Sequence, residues 1–289
     1  MKSTGPVISV ITAACNSAAT LEDTLRSVLG QDYTNVEHIV VDGGSTDGTV
    51  ELLTKYLPAY ETAGKRLVWT SEADKGIYDA INKGIAMAKG EIVGALNADD
   101  FFTSPDILSK VAGAFAQDGA SAINAPNAIN AADATDAANI SNGVDAVYGD
   151  VHYVHPSDLT RPIRRYSSRR FRRWQMRMGF MPAHPSFYCR KTLYEQYGSY
   201  DPSYSVAGDF ELLLRFIFKH RINCRYLPVD FVTMRTGGAS SSGMGSHRRI
   251  FKEHRRAYRQ NGIASNFLLE GVRYLWKLPT ALLMAIRCR

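Results

Sequence analysis

Four short stretches in the first hundred residues run into side chains suited to hold a phosphorylated ligand and a cation. Residues 7–12 lead into Thr12-Ala13-Ala14-Cys15-Asn16, and 37–41 into Asp42-Gly43-Gly44-Ser45-Thr46-Asp47-Gly48. Residues 67–71 lead into Glu72-Ala73-Asp74-Lys75-Gly76, and 91–96 into Asn97-Ala98-Asp99-Asp100. A carboxylate accepts from ribose hydroxyls or a base N–H, which suits Asp42 and Asp74. The adjacent Asp99 and Asp100 suit a magnesium or manganese ion, which takes one or two carboxylates and completes its shell with substrate phosphate oxygens. A diphosphate bridged by that ion is a good leaving group. One polar strand end is an ordinary loop, but four in succession make a constructed site.

Those endings need elements to carry them. The four preceding runs are short and β-branched, and read as strands. Between them Leu21, Leu25, Val28 and Leu29 share one helical face, as do Ile77, Ala80, Ile81, Ile85 and Ala88. Helix starts are marked by Asn16 or Ser17, by Ser45–Asp47, and by Ser104-Pro105. Strands alternating with helices of this length predict βαβ units and a largely parallel α/β sheet, whose ligands lie at the carboxyl ends of the strands. No glycine lies between Ala13 and Thr20, so a GxGxxG cradle is missing, and no GxxxxGK[ST] loop occurs. Residues 117–145, rich in Ala, Asn and Asp, read as a low-complexity surface insertion. Beyond it strands are expected at 146–154 and 183–189, and helices at 206–219, 246–260 and 266–286.

The chain has 289 residues, 45% of them hydrophobic and 21% charged, which excludes disorder throughout and a polytopic membrane protein. Its net charge of +6 hides an asymmetry: residues 1–150 carry 9 Lys/Arg against 20 Asp/Glu, and 151–289 carry 25 against 8. The basic half expects an anionic partner. Residues 161–177 hold eight arginines, with Phe171 and Trp174 interleaved. Nucleic acid, a membrane surface and the diphosphate of a lipid-linked acceptor all fit that run. The C-terminal stretch, Phe267, Leu268, Val272, Leu275, Trp276 and Leu282 interleaved with Arg273, Lys277 and Arg287, favours the membrane. It reads as an interfacial helix kinked near Pro279, or as a helix that packs back on the domain or forms a dimer contact. Cys15, Cys189, Cys224 and Cys288 form no CxxC pair, as expected of reduced thiols in a cytosolic enzyme. The opening residues do not read as a signal peptide.

The motifs together carry a family resemblance. ISVITAACNSAATLEDTLRSVLGQDYTNVEHIVVDGGSTDGT resembles the opening of a family 2 glycosyltransferase of the GT-A fold, and SEADKGIYDAINKGIAMAKGEIVGALNADD resembles its continuation through the DxD-type motif. The likeness runs on through VYGDV, RRW, MPAHPSFY, AGDFELLLR and MRTGGASS. It covers residues 7–242 apart from the insertion, and is nearest to the bacterial enzymes that assemble exopolysaccharide or O-antigen repeats, including colanic-acid-type transferases.

The resemblance implies a GT-A domain over 1–242, with a mostly parallel central sheet flanked by helices, and a basic amphipathic helical extension over 243–289. It implies an inverting transfer of sugar from a nucleotide-diphosphate donor, most simply UDP-linked. The acceptor implied is a saccharide on undecaprenyl diphosphate, at the inner face of the bacterial plasma membrane, with the enzyme cytoplasmic and peripheral there. Carried over by residue, Thr12, Ala13 and Asn16 hold the nucleobase, and Asp42 and Asp74 the nucleoside. Lys75 and Gly76 flank the phosphates, Asn97 and Ala98 line the donor, and Asp99 binds the manganese or magnesium ion. Asn97 stands where the motif has its first Asp, keeping an acceptor oxygen but losing a charge. His184, in the HPSF segment, either approaches the metal or donor phosphate or is a satisfied half-buried histidine. Asp209, in the Gly208-Asp209 pair, matches the catalytic base, and Arg235 the loop that closes on the diphosphate. Two rivals fare worse. A sugar-nucleotide pyrophosphorylase wants a glycine-rich basic signature after the first strand, and a nucleic-acid binder leaves the acidic strand ends unexplained.

Overall fold

The computed structural model describes residues 5–116, 143–237 and 243–265, together with Leu269. Most of the insertion expected at 117–145 and nearly all of the helix expected at 266–286 lie outside these residues.

Four parallel strands form one side of the sheet: β1 (Ile8–Ala14), β2 (Val36–Asp42), β3 (Arg66–Ser71) and β4 (Ile92–Ala95), in the order β3-β2-β1-β4. Helices α1 (Ala18–Leu29), α2 (Thr49–Thr62) and α3 (Ile77–Met87) make the crossovers. The alternation of β1 divides its side chains between two apolar clusters. Val10 and Ala14 pack with Leu21, Leu25 and Leu53, while Ile11 packs with Ile81 and Ile85 of α3. Strands covered on both faces are mostly apolar, which is why β1 and β2 read as near-continuous β-branched runs, and their buried Ser9, Thr12, Glu37 and His38 are hydrogen-bonded.

The second half of the sheet is mixed. Beyond β5 (Phe101–Phe102) and α4 (Ile107–Ala116), the chain adds β6 (Ala146–His155), β7 (Asp158–Tyr166), β8 (Tyr188–Arg190) and β9 (Cys224–Arg235). The sheet continues β4-β8-β6-β9-β5, with β7 paired antiparallel to β6. The strand expected at 183–189 is instead a 3-10 turn, His184–Ser186, followed by the short β8. Pro185 has no amide to give a ladder and fixes its own φ, so it suits the turn. The helix expected at 206–219 is α6 (Gly208–Leu213), which continues as a π-helical turn, Leu214–Lys219. After α5 (Thr192–Tyr197) and α6, α7 (Gly243–Gln260) takes in the helix expected at 246–260. β7 and β9 follow from none of the sequence patterns. β7 is an exposed, arginine-bearing edge with little alternation. Among the described residues no helix is long and apolar enough to cross a membrane.

Candidate active site

The carboxyl ends of β1 and β2 are laced to each other. Asn16 takes a left-handed backbone (φ 48°), tolerated by Asn better than by most residues. Its amide donates to Ser45 Oγ (2.7 Å), and its Oδ1 accepts from the Thr46 amide (3.0 Å). Asp47 accepts from Thr49, through both hydroxyl (2.6 Å) and amide, and from the amide of Ala18 (3.0 Å). Those bonds, Thr49's first, hold the Asp47 carboxyl below its ordinary range and tie the starts of α1 and α2 together.

Asp42 shapes the same turn. It is fully buried, and its Oδ2 accepts from the amides of Gly44 (3.1 Å) and Ser45 (2.9 Å) and from Ser71 Oγ (2.6 Å). The Ser45 hydroxyl bonds the other oxygen. Thr12 likewise turns inward, its hydroxyl 3.0 Å from His38 Nε2, while Tyr60 OH meets His38 Nδ1 at 2.7 Å. Burial pushes His38 down to about 3, so it is neutral.

Asp74 is held differently. A Cβ on Gly43 would fall 2.6 Å from Asp74 Oδ2 and 3.4 Å from Cys15 Cβ, so the bare backbone of Gly43 makes room for that carboxylate. Asp74 Oδ1 accepts from the Gly76 amide (2.8 Å), and the Lys75 amide donates to Asp79 (3.1 Å), leaving the Lys75 side chain exposed.

At the end of β4, Asn97 Nδ2 donates to Asp100 Oδ2 (3.2 Å). An aspartate at position 97 would place a further negative charge there instead of a donor. Asp100 is 1% exposed, and burial first, then the Asp99 charge, push its carboxyl up to about 8. Arg235 fastens this turn: its guanidinium bonds the Asp99 carbonyl and the Asp23 carboxylate, 5.3 Å above the Phe101 ring. The half-buried Asp99 carboxylate takes no hydrogen bond or ion pair among the described residues. No three His, Cys, Asp or Glu side chains converge as a cage there or elsewhere among those residues. One open carboxylate backed by a crowded second one, with Ala98 between Asn97 and Asp99, fits a cation that draws its other ligands from a substrate diphosphate.

Asp209, in the first turn of α6, lies against the start of α3. A Cβ on Gly208 would lie 2.8 Å from the Tyr78 ring, so glycine there lets the two helix starts meet. Tyr78 thus lies beside Asp209, whose Oδ1 accepts from the Phe210 amide (2.8 Å). Burial raises the Asp209 carboxyl above its ordinary value, with the nearby His184 opposing. Burial lowers His184, with Asp209 opposing. His184 Nε2 lies 2.6 Å from Tyr200 OH, and Tyr200 stacks on Tyr78 (5.7 Å, 13°). His184 therefore belongs to the Asp209 cluster. Tyr78, Tyr200 and Asp23 are additions to the residues singled out by sequence. Tyr78 carries a signal, four residues beyond Asp74 in the first turn of α3, whereas nothing local marks Tyr200 or Asp23.

Residues 9–197 match the family described as Glycosyl transferase family 2. The chain belongs to that family. An uncharacterized glycosyltransferase of Mycobacterium tuberculosis is 30% identical over 256 residues, covering 87% of this chain and 82% of its own. A PGL/p-HBAD biosynthesis glycosyltransferase of Mycobacterium bovis is 27% identical over 244 residues, covering 82% and 80%. Among solved structures, S. aureus TarS 1-349 in complex with UDP-GlcNAc superposes with a TM-score of 0.61 at 16% identity, covering 86% of this chain and 66% of its own. The mannosyltransferase PcManGT from Pyrobaculum calidifontis, in complex with GDP-Man and Mn2+, gives 0.56 at 19% identity, covering 98% and 75%. These neighbours show the GT-A fold. These two relatives are mycobacterial, and neither carries the exopolysaccharide or O-antigen assignment.

In this glycosyltransferase part of the arginine run is engaged by contacts within the chain. Arg165 pairs with Asp150 (3.0 Å) and Asp230 (2.9 Å), Arg173 is buried, and Arg177 Nε donates to the Ala264 carbonyl (2.9 Å). Arg161, Arg169 and Arg170 stay exposed, as does Trp174.

Proposed function

We propose that this family 2 glycosyltransferase transfers a sugar, with inversion, from a nucleoside-diphosphate donor to a saccharide hydroxyl. The observation that supports the reading is the meeting of α3 and α6. Tyr78 and Gly208 bring a half-buried carboxylate with a raised pKa, Asp209, against the first turn of α3, the helix that follows Asp74 in the chain. The acceptor O–H gives its proton to Asp209 as its oxygen bonds the anomeric carbon. The bond from that carbon to the diphosphate oxygen breaks, and the diphosphate leaves with the electron pair. Attack from the face opposite the leaving group inverts the centre.

Asp74 receives the nucleoside against Gly43, in the loop that Asp42, Asn16 and Asp47 hold in shape. Asp99 would hold a manganese or magnesium ion, which would supply positive charge to the departing diphosphate. Arg235 keeps the Asp99 turn in place. A uridine donor is the first choice, in keeping with the UDP-GlcNAc in TarS, and a guanosine donor the second, in keeping with the GDP-Man in PcManGT. The acceptor is a saccharide on a lipid diphosphate in cell-surface polysaccharide assembly, met at the inner membrane face. Exposed Arg161, Arg169 and Arg170 would face its diphosphate and the anionic headgroups.

A thermal-shift panel of UDP-glucose, UDP-GlcNAc, GDP-mannose and dTDP-rhamnose, each with and without manganese, tests the donor assignment. Ligand that binds only the folded state raises Tm, by about 2.7 kcal/mol of stability at a hundredfold excess over Kd. We expect a manganese-dependent rise with at least one member and a larger one with a uridine donor. No shift with any nucleotide sugar would overturn the reading.

A further inference from the structure

The helix that opens on Asp209 lacks a cap of its own. Ala207, at its N-cap, offers no side-chain acceptor, and the Ser205–Ala207 turn that leads into the helix takes its partner from elsewhere. That partner comes from 46 to 48 residues along the chain. Glu253 of α7 accepts with Oε1 from the Ser205 amide (3.0 Å) and hydroxyl (2.7 Å), and with Oε2 from the amides of Val206 (3.0 Å) and Ala207 (2.8 Å). Burial works against its charge, but the hydrogen bonds from Ser205, Ala207 and Val206 prevail and hold the carboxyl below its ordinary range.

Other contacts keep α7 in register with this segment. His254 stacks on Phe210, the residue after Asp209 (3.8 Å, 11°). Arg256 pairs with Asp201 (3.1 Å) and lies 4.4 Å above the Tyr204 ring. Asn261 Nδ2 donates to Glu211 (3.1 Å). A helix that the sequence assigns to a C-terminal extension thus grips the turn on either side of the proposed base.

We propose that Glu253 is a positioning residue for the transfer: its carboxylate fixes the Ser205–Ala207 turn, and through it the direction in which Asp209 meets the acceptor hydroxyl. The inference rests on the reading of Asp209 as base. Three amides answered by one carboxylate leave that turn a single conformation, and a proton acceptor displaced by an ångström loses much of its rate.

The test is Glu253→Gln, which keeps the length and puts an N–H2 group against the amides. Turnover is followed as release of nucleoside diphosphate from whichever nucleotide sugar in the panel above shifts Tm most, with water as acceptor. Arg256→Ala, which loosens the same helix from the same segment without touching the cap, controls for lost stability. We expect E253Q to lower kcat by about 10–100-fold, to leave donor Kd within about twofold, and to speed amide exchange at Val206 and Ala207. We expect R256A, at an equal or greater loss of Tm, to lower kcat less. In an Asp209→Asn background E253Q should cost nothing further. A loss no greater than that of R256A, or an equal loss with and without Asp209, would overturn the positioning role while leaving the base assignment standing. Wild-type turnover by D209N alone would overturn the base assignment, and the positioning role with it.

Discussion

Asp209→Asn should lower turnover by about 10²–10⁴-fold, the range a positioned general base contributes, while donor affinity stays within about twofold. The substitution is conservative in structure. Asn keeps the oxygen that accepts from the Phe210 amide. What it loses is the ability to take a proton. The wild-type rate should carry the same signature in its pH dependence. Burial raises the Asp209 carboxyl, with His184 opposing, and only the ionised form is a base. The rate should therefore climb with pH through an apparent pKa above the ordinary aspartate value of about 3.9, and that limb should vanish in the variant. Steady-state kinetics across pH, with donor Kd by calorimetry, check both parts. Undiminished kcat in D209N would remove the residue as base.

Asp99→Ala should abolish the manganese-dependent part of donor binding and cut turnover roughly 10²-fold, equivalent to about 3 kcal/mol of lost charge stabilisation. Arg235 bonds the Asp99 main-chain carbonyl, so truncating the side chain leaves that fastening in place. Asp100, buried and hydrogen-bonded to Asn97, also stays. The turn should keep its shape and lose one open carboxylate. The thermal-shift panel repeated on this variant reads the effect, and a manganese response equal to that of the wild type would take the metal away from Asp99.

Much of the first half of the fold is legible in the sequence because its strands are buried on both faces. Val10, Ile11, Ile39 and Val40 had to be apolar, and the polar residues that follow them could only be loop. The strand-end carboxylates are legible for the same reason, but their division of labour is not. Asp42 reads as a nucleoside ligand, and in the structure its carboxylate accepts from Gly44, Ser45 and Ser71 of its own neighbourhood. Asp74 looks similar in sequence, and only its packing on Gly43 sets it apart.

The rest depends on contacts that no local pattern records. Arg235 meets Asp23, 212 residues earlier. Tyr200 reaches Tyr78 across the start of α6. The arginine run reads as a surface for an anionic partner, yet Arg165 answers the buried Asp150 of β6. The basic 243–260 stretch reads as an appendage because its charges dominate its composition. Its few inward side chains, Glu253, His254, Ala257 and Tyr258, make it part of the body that carries Asp209.

The central claim is a single displacement at the anomeric carbon, driven by proton removal at Asp209. Time-resolved proton NMR of the anomeric region, with a donor from the panel, manganese and the wild-type enzyme, tests it most directly. We predict that the first sugar released or transferred has the configuration opposite to the donor's, and that the signal is lost in D209N. A first-formed product with the donor's own configuration would contradict the account.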